Sequence, residues 1–294
     1  MNHGQQTPSA LAPSWPNAEQ IRYWNDVSGP KWVALQEKLS SHLRPFGARA
    51  LERAALTPGD RVIDVGCGCG ETTIEIARRV GPRGAVTGID VSTVMLAQAV
   101  EAVRAAGLDN VALENVDAQT AALPDGAFDV LFSRFGLMFF IDPEAAFANL
   151  RRALRPGARL AFVCWRALAE NAWMRVPGEA VAQHVELQRP LPGAPGPFAF
   201  ADPGRLRALL EGASFGDVAL EAVDEPALIG GGGTLDEAVE FLLQIGPAAM
   251  ALREASAEKQ AAATLAIREA LVPYQTSDGV RMDAAVWIVT ASAR

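Results

Sequence analysis

The stretch DVGCGCGETT, residues 64–73, could hold either a metal ion or a nucleotide, because it combines three glycines, two cysteines and acidic residues. A closed zinc site needs four ligands. Cys67 and Cys69 are separated by one glycine, and Cys164 and the three histidines share no spacing with them. The sequence therefore predicts no metal, and we interpret the two cysteines as small, nearly apolar residues of a tight turn.

A nucleotide fits the same stretch better. RVIDV is typical of a strand and Glu71 of a helix start, so the glycines form a strand-to-helix turn of the kind beside which open α/β sheets bind ligands. Gly66, Gly68 and Gly70 let the backbone approach a ligand closely. Their spacing is one residue shorter than the dinucleotide fingerprint, and the Glu71 carboxylate would repel a pyrophosphate at the helix N-terminus.

Further acids follow the next predicted strands at the same sheet edge. Asp90 can accept hydrogen bonds from a ribose diol, which NAD and S-adenosylmethionine both carry. Asp117 can accept from an adenine amine, while Ala118 offers its backbone N–H to the ring. Together with Asp64 and the glycine turn, these groups match a methionine-nucleoside, and none of them requires a phosphate.

The elements that must position these residues are strands alternating with helices. Predicted strands cover 61–65, 85–90, 111–116, 127–133 and 158–165, with two later ones in SFGDVALEAVD and VRMDAAVWIVTASA. Ser92, Asp142-Pro143 and a capping box of Thr234 and Glu237 mark helix starts. This spacing predicts βαβ units and therefore an α/β fold with a doubly wound, mostly parallel sheet.

Composition narrows the class of protein. The chain has 294 residues, half of them hydrophobic, and a net charge of −8, which disfavours nucleic acid as a partner. Its three cysteines lack the spacing of a disulfide framework, and no apolar stretch reaches the length of a membrane span. We expect a cytoplasmic monomer or homodimer that acts on a small molecule, without nucleic acid or membrane.

Four segments resemble, as a set, the motifs of class I S-adenosylmethionine-dependent methyltransferases. VIDVGCGCG looks like motif I, TGIDVSTVML like post-I, NVDAQTAALPDGAFDVLFSRFG like motifs II–IV, and PEAAFANLRRALRPGARLAFV like motif V. The likeness is strong over residues 55–165 and weaker over 204–224 and 280–292. It implies a Rossmann-like seven-stranded sheet with an antiparallel last strand and helical cap insertions. The implied cofactor is S-adenosylmethionine, with S-adenosylhomocysteine as its product.

The resemblance also implies which residues hold the cofactor. They are Asp64, Gly66, Cys67, Gly68, Gly70, Asp90, Val91, Met95, Asp117, Ala118 and Ser133. In this scheme Asp90 takes the ribose hydroxyls, Val91 and Met95 pack the adenine, Asp117 reads the adenine edge, and the Ser133 carbonyl touches the methionine end.

Within that family, FGLMFFIDPEAAFANLRRALRPG is similar to the small-molecule branch that includes the ubiquinone/menaquinone-biosynthesis enzymes. The chain departs from those enzymes where they carry FGLRN, since it has FGLMF at 135–139. It also ends the fifth strand on FVCW where they carry an acidic LEFS-like phrase. These departures argue against a quinone as the acceptor.

The acceptor is expected to meet aromatic and arginine residues around the same sheet edge. The candidates are Tyr23, Trp24, Trp32, Arg134, Phe135, Met138, Phe139, Trp165, Arg166 and Trp173. Core packing is the alternative role for the aromatic residues, and an ion pair with Asp142 or Glu144 is the alternative for the arginines. The pattern requires no catalytic residue, and His184 and Arg134 are the candidates that it offers.

The expected activity is in-line transfer of a methyl group to a small molecule whose nucleophilic atom, O, N, S or C, stays open. An NAD-dependent oxidoreductase is the first alternative, although neither Tyr23 nor Tyr274 has a lysine four residues on. A non-catalytic adenosyl-cofactor-binding module is the second.

The predicted organisation follows from these elements. It comprises a disordered tail (1–15), an N-terminal helical lid (16–55), a Rossmann-like cofactor-binding core (56–165), a cap insertion (166–203), a second core segment (204–224), a helical cap (225–279) and a final core strand (280–294). Gly230–Gly233 is predicted to be a flexible hinge of the cap.

Overall fold

A computed structural model describes residues 16–187 and 193–294, so the tail predicted for residues 1–15 lies outside the described residues. The strands are β1 (Arg61–Val65), β2 (Ala85–Asp90), β3 (Val111–Asn115), β4 (Phe128–Arg134), β5 (Leu154–Trp165), β6 (Phe215–Leu228), β7 (Gln275–Thr276) and β8 (Gly279–Ala293). The α-helices are α1 (Ala18–Arg22), α2 (Ser28–Ala34), α3 (Gln36–Arg53), α4 (Glu71–Val80), α5 (Thr93–Ala105), α6 (Pro143–Ala153), α7 (Ala172–Val181), α8 (Pro203–Gly212), α9 (Leu235–Leu242), α10 (Gly246–Leu252) and α11 (Ala257–Leu271).

The main sheet has the strand order β3-β2-β1-β4-β5-β8-β6. Strands β1 to β5 are parallel, and β8 lies antiparallel between β5 and β6. This confirms the predicted fold, and the eighth strand is the two-residue β7, which pairs with β8. The strand order reverses between β1 and β4, where open α/β sheets bind their ligands at the carboxyl ends of the strands.

Burial explains why the central strands form where they do. Val62, Ile63 and Val65 of β1 are buried, as expected for a parallel strand covered on both faces. Helices α4 and α5 pack on β1 to β3, whereas α6 contacts β5 and α8 contacts β6. The strand ends, and the polar residues that follow them, are therefore held by a continuous apolar core.

The predicted helix caps are confirmed. Ser92 Oγ accepts from the Met95 backbone N–H at 3.3 Å, and Asp142 Oδ1 accepts from Ala145 at 2.9 Å. Thr234 and Glu237 form the reciprocal capping box. None of the described helices combines the length and the apolar composition needed to cross a membrane.

The glycine run between β6 and α9 is a packed turn. All four residues of Gly230–Gly233 have positive φ, which side chains disfavour. A Cβ on Gly230 would lie 3.3 Å from Phe241, and one on Gly231 would lie 3.1 Å from Ser41. The run therefore lies in close contact with both α3 and α9, and its role as a hinge of the cap stays a prediction.

Candidate functional site

The glycine turn follows β1 and is shaped by three left-handed residues. Gly66, Gly68 and Gly70 have φ values of 69°, 56° and 86°. A Cβ on Gly66 would lie 2.7 Å from the Gly136 Cα, which is backbone and cannot swing aside. The Gly66 and Cys67 N–H groups donate to the Ile89 carbonyl at 2.8 and 3.1 Å. The turn is thus fastened to β2, and Gly66 lies against the loop after β4, whereas Gly68 and Gly70 lie against Met95 and Ala99 of α5.

Asp64 lies beneath this turn and is fully buried. Its Oδ2 accepts from the hydroxyls of Thr72 and Thr73 at 2.8 and 2.6 Å. Its Oδ1 has no hydrogen-bond partner among the described residues. Burial raises the pKa of Asp64 to about 6, against the lowering effect of the two threonine hydrogen bonds.

Asp90 ends β2 with both carboxylate oxygens fixed by backbone N–H groups. Oδ2 accepts from Gly68 and Oδ1 from Ser92, both at 2.8 Å. Burial raises the pKa of Asp90 against these hydrogen bonds. Each oxygen keeps a lone pair for a further donor. Beside it, Asn115 at the end of β3 donates to the Asp90 carbonyl at 2.9 Å, and its own buried Oδ1 has no partner within 16–187 and 193–294.

Asp117 follows β3 and is also fully buried. Its Oδ1 accepts from the Gln119 backbone N–H and from the Asn17 side chain, both at 2.9 Å. Ala118 is buried next to it, and its carbonyl accepts from Asn149 at 2.9 Å. The structure therefore brings Asp117 and Ala118 to the same sheet edge as Asp90, as the sequence predicts.

Ser133 joins the end of β4 to the glycine turn. Its buried hydroxyl donates to the Val65 carbonyl at 2.7 Å and accepts from the Gly136 N–H at 3.2 Å. Phe135, two residues on, has a φ of 60°, a strained conformation for a side-chain-bearing residue. Strain of this kind recurs at ligand sites, and no sequence pattern around Phe135 predicts it.

The cysteines of the turn are free, protonated thiols that pack as small side chains. All three cysteines are free, and no cluster of metal-ligating residues occurs in the part of the chain that the structure describes. Cys67 Sγ packs beneath Gly88, and burial raises the pKa of its thiol well above the ordinary value. Burial also raises the pKa of Cys69, to about 11. These thiols stay protonated and pack as small side chains.

The N-terminal segment, residues 16–55, covers the strand ends. Asn25 donates to the Val91 carbonyl at 3.0 Å and accepts from the Thr93 backbone N–H at 2.9 Å. Ser92 donates its hydroxyl to the Trp24 carbonyl at 2.8 Å. These contacts hold the π-helical turn Tyr23–Val27, which joins α1 to α2, against the start of α5, where Met95 is buried.

Both candidate arginines are engaged in ion pairs with acids other than Asp142 and Glu144. Arg134 pairs with Glu71 at 2.8 Å, and Arg166 pairs with Asp224 at 2.8 Å and with Glu170. Although burial raises the pKa of Glu71, the Arg134 charge and hydrogen bonds from neighbouring side chains bring it below its ordinary value. The positive charge of Arg134, which lies near the glycine turn, is therefore already balanced by Glu71.

The aromatic candidates fall into two groups. Tyr23, Trp32 and Phe139 surround Trp24 with ring centroids 5.0 to 5.8 Å from it, and we name these four residues the outer aromatic cluster. The inner aromatic cluster consists of Phe135, Trp165 and Trp173 together with His42 and Phe46.

Two other candidates lie apart from these groups. Met138 is almost fully buried in the core. His184 lies half-buried in the turn after α7. A cavity of about 390 Å³ lined by residues that include Glu170, Arg175 and Asp283 lies beside β6 and β8, away from the glycine turn.

The sequence analysis missed Asn17, Asn25, Asn115 and His42. Leu39, Leu43 and Phe46 occur at helical spacing around His42, and that pattern would have placed the imidazole on the buried face of α3. The asparagines carry no such signal, because their partners are distant in sequence or depend on the strand register.

These residues fit S-adenosylmethionine on chemical grounds. Its ammonium, ribose hydroxyls and adenine amine are all hydrogen-bond donors. The strand ends offer acceptors at Asp64, Asp90, Asn115 and Asp117, two of which have a buried oxygen with no partner among the described residues. A phosphate would meet these carboxylates without a free arginine beside the turn.

Comparisons with known proteins agree with this chemistry. The model of a family described as "Methyltransferase domain" matches residues 62–157. Aklanonic acid methyltransferase DauC of Streptomyces sp. (strain C5) is 34% identical over 118 residues, 40% of this chain and 54% of that protein. Ubiquinone/menaquinone biosynthesis C-methyltransferase UbiE of Teredinibacter turnerae is 38% identical over 111 residues, 37% of this chain and 45% of that protein. This chain thus spans about half the length of these curated relatives.

A solved structure extends the likeness of fold beyond the matched segment. It is phosphoethanolamine N-methyltransferase 2 of Haemonchus contortus, in complex with phosphomonomethylethanolamine and S-adenosylhomocysteine. The alignment has a TM-score of 0.50 and 20% identity and covers 96% of this chain and 58% of that one. At this identity the likeness concerns the fold alone.

The sheet order, the strand-end acceptors and the match of residues 62–157 to a methyltransferase-domain model all support the resemblance to class I S-adenosylmethionine-dependent methyltransferases. The methyltransferase resemblance is thereby confirmed over residues 62–157, and S-adenosylmethionine is the cofactor that this match supports. The likeness to the small-molecule, UbiE-like branch is supported by named relatives.

Proposed function

We propose that this chain transfers a methyl group from S-adenosylmethionine to a small-molecule acceptor by in-line displacement. The observation that carries the proposal is the set of buried acceptor oxygens at the ends of β1, β2 and β3, with Asp64 Oδ1 and Asn115 Oδ1 unpartnered among the described residues. Such oxygens are costly unless a ligand donor reaches them. The cofactor presents donors with matching chemistry.

In this proposal, different residues bind different parts of the cofactor. We assign Asp90 to the ribose hydroxyls, Asp117 and Ala118 to the adenine edge, and Asp64 to the ammonium group. When bound, S-adenosylmethionine supplies an activated methyl group on a sulfonium sulfur. The chain's own contribution is to hold an acceptor in line and to exclude water, which the aromatic clusters favour.

The N-terminal segment acts in this proposal as a lid that opens to admit the cofactor. Its hydrogen bonds to Asp117, Val91 and Thr93 support this role, because they lie over the proposed adenine position. A cytoplasmic location, action as a monomer or homodimer, and independence of nucleic acid and membrane stay predictions from the sequence, as does the choice among O, N, S and C acceptors.

Calorimetric titration with S-adenosylmethionine, S-adenosylhomocysteine and NADH tests the proposal. Asp90→Asn and Asp117→Asn should each weaken binding of both adenosyl compounds at least tenfold. Asp129→Asn is the matched control, since Asp129 lies at the opposite end of β4 and pairs with Arg155, and it should change binding less than twofold.

Each other result of this titration has a definite meaning. Binding of NADH alone would overturn the proposal in favour of an oxidoreductase. Adenosyl binding that survives both substitutions would remove the assigned roles of Asp90 and Asp117. Binding without turnover on a broad panel of hydroxyl, amine, thiol and carbon acceptors would favour a non-catalytic cofactor-binding module.

A further inference from the structure

His42 and Trp173 present two unsatisfied polar atoms inside the inner aromatic cluster. Their rings are buried, with 1% and 5% of their surface exposed, and their centroids lie 4.5 Å apart. His42 Nε2 and Trp173 Nε1 have no hydrogen-bond partner among residues 16–187 and 193–294. Buried polar atoms are almost always paired, so this adjacent pair requires an explanation.

The His42 tautomer follows from its one backbone contact. Nδ1 lies 3.5 Å from the Leu228 carbonyl oxygen, which can only accept, so Nδ1 carries the proton and Nε2 carries the lone pair. Burial lowers the pKa of His42 to about 4, so the imidazole is neutral near pH 7. The pair therefore offers one acceptor, Nε2, and one donor, the Trp173 N–H.

The inner aromatic cluster connects this pair to the cofactor site. Trp173 contacts Trp165 with ring centroids 5.2 Å apart, and Trp165 stacks on Phe135 at 4.4 Å and 17°. The residue after Phe135 is Gly136, whose backbone lies against Gly66 of the glycine turn. A flat molecule among these rings would thus lie beside the predicted methionine end of the cofactor.

The chemistry of the cluster selects a particular acceptor. A hydroxyl group both donates and accepts, so a single hydroxyl can satisfy Nε2 and the indole N–H together. The surrounding rings favour an attached aromatic ring. An acidic head group finds no free cation there, because Arg134 and Arg166 are already paired.

We propose that the inner aromatic cluster is the acceptor subsite and takes a hydroxylated aromatic molecule, whose hydroxyl donates to His42 Nε2 and accepts from the Trp173 N–H. This inference rests on the proposed methyltransferase function. A cavity of about 10 Å³ borders Trp173, so the acceptor enters when the cap formed by α7, α9 and α10 separates. A single buried water bridging the two rings is the competing arrangement.

Calorimetry on the full chain saturated with S-adenosylhomocysteine tests this subsite with 2-naphthol as the probe. Wild type should bind 2-naphthol at least tenfold more tightly than 2-methoxynaphthalene, which cannot donate, and than 2-naphthoate, which is charged. His42→Phe and Trp173→Phe should each weaken 2-naphthol binding about tenfold. Trp287→Phe is the matched control, since its indole N–H is satisfied by the Ala201 carbonyl at 3.0 Å.

A second readout separates ligand contact from a purely structural role. The ¹⁵N resonance of His42 Nε2 should shift on addition of 2-naphthol and stay unchanged with 2-methoxynaphthalene. Equal binding of the three probes, unchanged 2-naphthol affinity in His42→Phe, or an unmoved resonance would each overturn the inference in favour of the bridging water.

The same titrations distinguish the two proposals. Absence of S-adenosylhomocysteine binding to the wild type would overturn the proposed function itself. If S-adenosylhomocysteine binds but the naphthalene probes show no dependence on His42, only the acceptor subsite fails. Thermal melts of each variant, and His42→Asn as a smaller polar replacement, identify a loss that comes from unfolding.

Discussion

Asn17 donates to Asp117 Oδ1 at 2.9 Å and joins the start of the N-terminal segment to the carboxylate assigned to adenine. Asn17 Oδ1 also accepts from the Ile141 backbone N–H at 3.0 Å. The amide thus bridges the loops after β3 and β4. Because the proposed lid and the proposed cofactor contact share the Asp117 carboxylate, we expect this hydrogen bond to couple lid opening to cofactor binding.

Removing the bridge should speed cofactor entry. A hydrogen bond to a charged group is worth about 1.5–3 kcal/mol. If Asn17→Ala lowers the cost of lid opening by the smaller value, the association rate constant of S-adenosylhomocysteine should rise roughly tenfold. Stopped-flow tryptophan fluorescence measures this rate, since Trp24 and Trp32 lie in the proposed lid.

Asn110→Ala controls for the loss of an asparagine with two hydrogen bonds. Its side chain donates to the Ala77 and Gly81 carbonyls, away from the lid. This variant should lose stability without a change in association rate. An Asn17→Ala protein that binds S-adenosylhomocysteine at the wild-type rate would show that the bridge does not limit entry.

The glycine turn should tolerate no Cβ at Gly66. Its φ of 69° is strained for alanine, and the added atom would lie 2.7 Å from the Gly136 Cα. We expect Gly66→Ala to destabilise the fold by about 2–4 kcal/mol through strain and backbone displacement together. Gly126 has a similar φ of 59° with nothing within 4 Å of the new atom, so Gly126→Ala should cost only about 1 kcal/mol. Urea unfolding compares them, and equal losses would exclude the steric contribution.

The sequence predicts the strands, and the position of the acids at the strand ends, because both depend on local patterns. The short apolar runs and the Ser92, Asp142 and Thr234 caps are decided within a few residues. The contacts of Asn17 with Asp117 and of Arg134 with Glu71 span 100 and 63 positions. No sequence periodicity encodes these contacts. That the N-terminal segment covers the site, and that Arg134 pairs with Glu71, could therefore be learned only from the fold.

At position 135, the glycine variant should be more stable than the alanine variant, which is the reverse of the usual order. The Phe135 φ of 60° suits glycine, whereas its ring stacks on Trp165 at 4.4 Å. Phe135→Ala should destabilise the protein by about 3–5 kcal/mol through loss of the ring. Phe135→Gly should be about 1 kcal/mol more stable than Phe135→Ala, because it removes the backbone strain. Chemical denaturation of the pair measures the difference, and a more stable alanine variant would show that the strain is relieved in solution.

Two buried groups should give opposite dependences of stability on pH. The folded pKa of His42 is about 4 against 6.5 ordinarily, so between these values only the unfolded state binds the proton. The stability associated with His42 is present above pH 6.5 and is lost as pH falls toward 4. Asp64 has a folded pKa of about 6 against 3.8, so the folded state binds its proton first and gains stability as pH falls through this range. Each effect reaches about 3 kcal/mol.

Single substitutions should separate these contributions, which oppose each other in the wild type. Relative to wild type, His42→Gln should become more stable as pH falls from 6.5 to 4. Glutamine takes up no proton, so the unfolded variant loses the proton binding that favours unfolding of the wild type. Asp64→Asn should become less stable over the same range, since it lacks the compensating proton uptake. Urea unfolding at half-unit pH intervals gives both difference curves. If the two curves have the same sign, at least one side chain is not buried as the structure has it. A flat His42→Gln curve would mean that the imidazole is solvated, and Nε2 would then be satisfied by water and need no ligand.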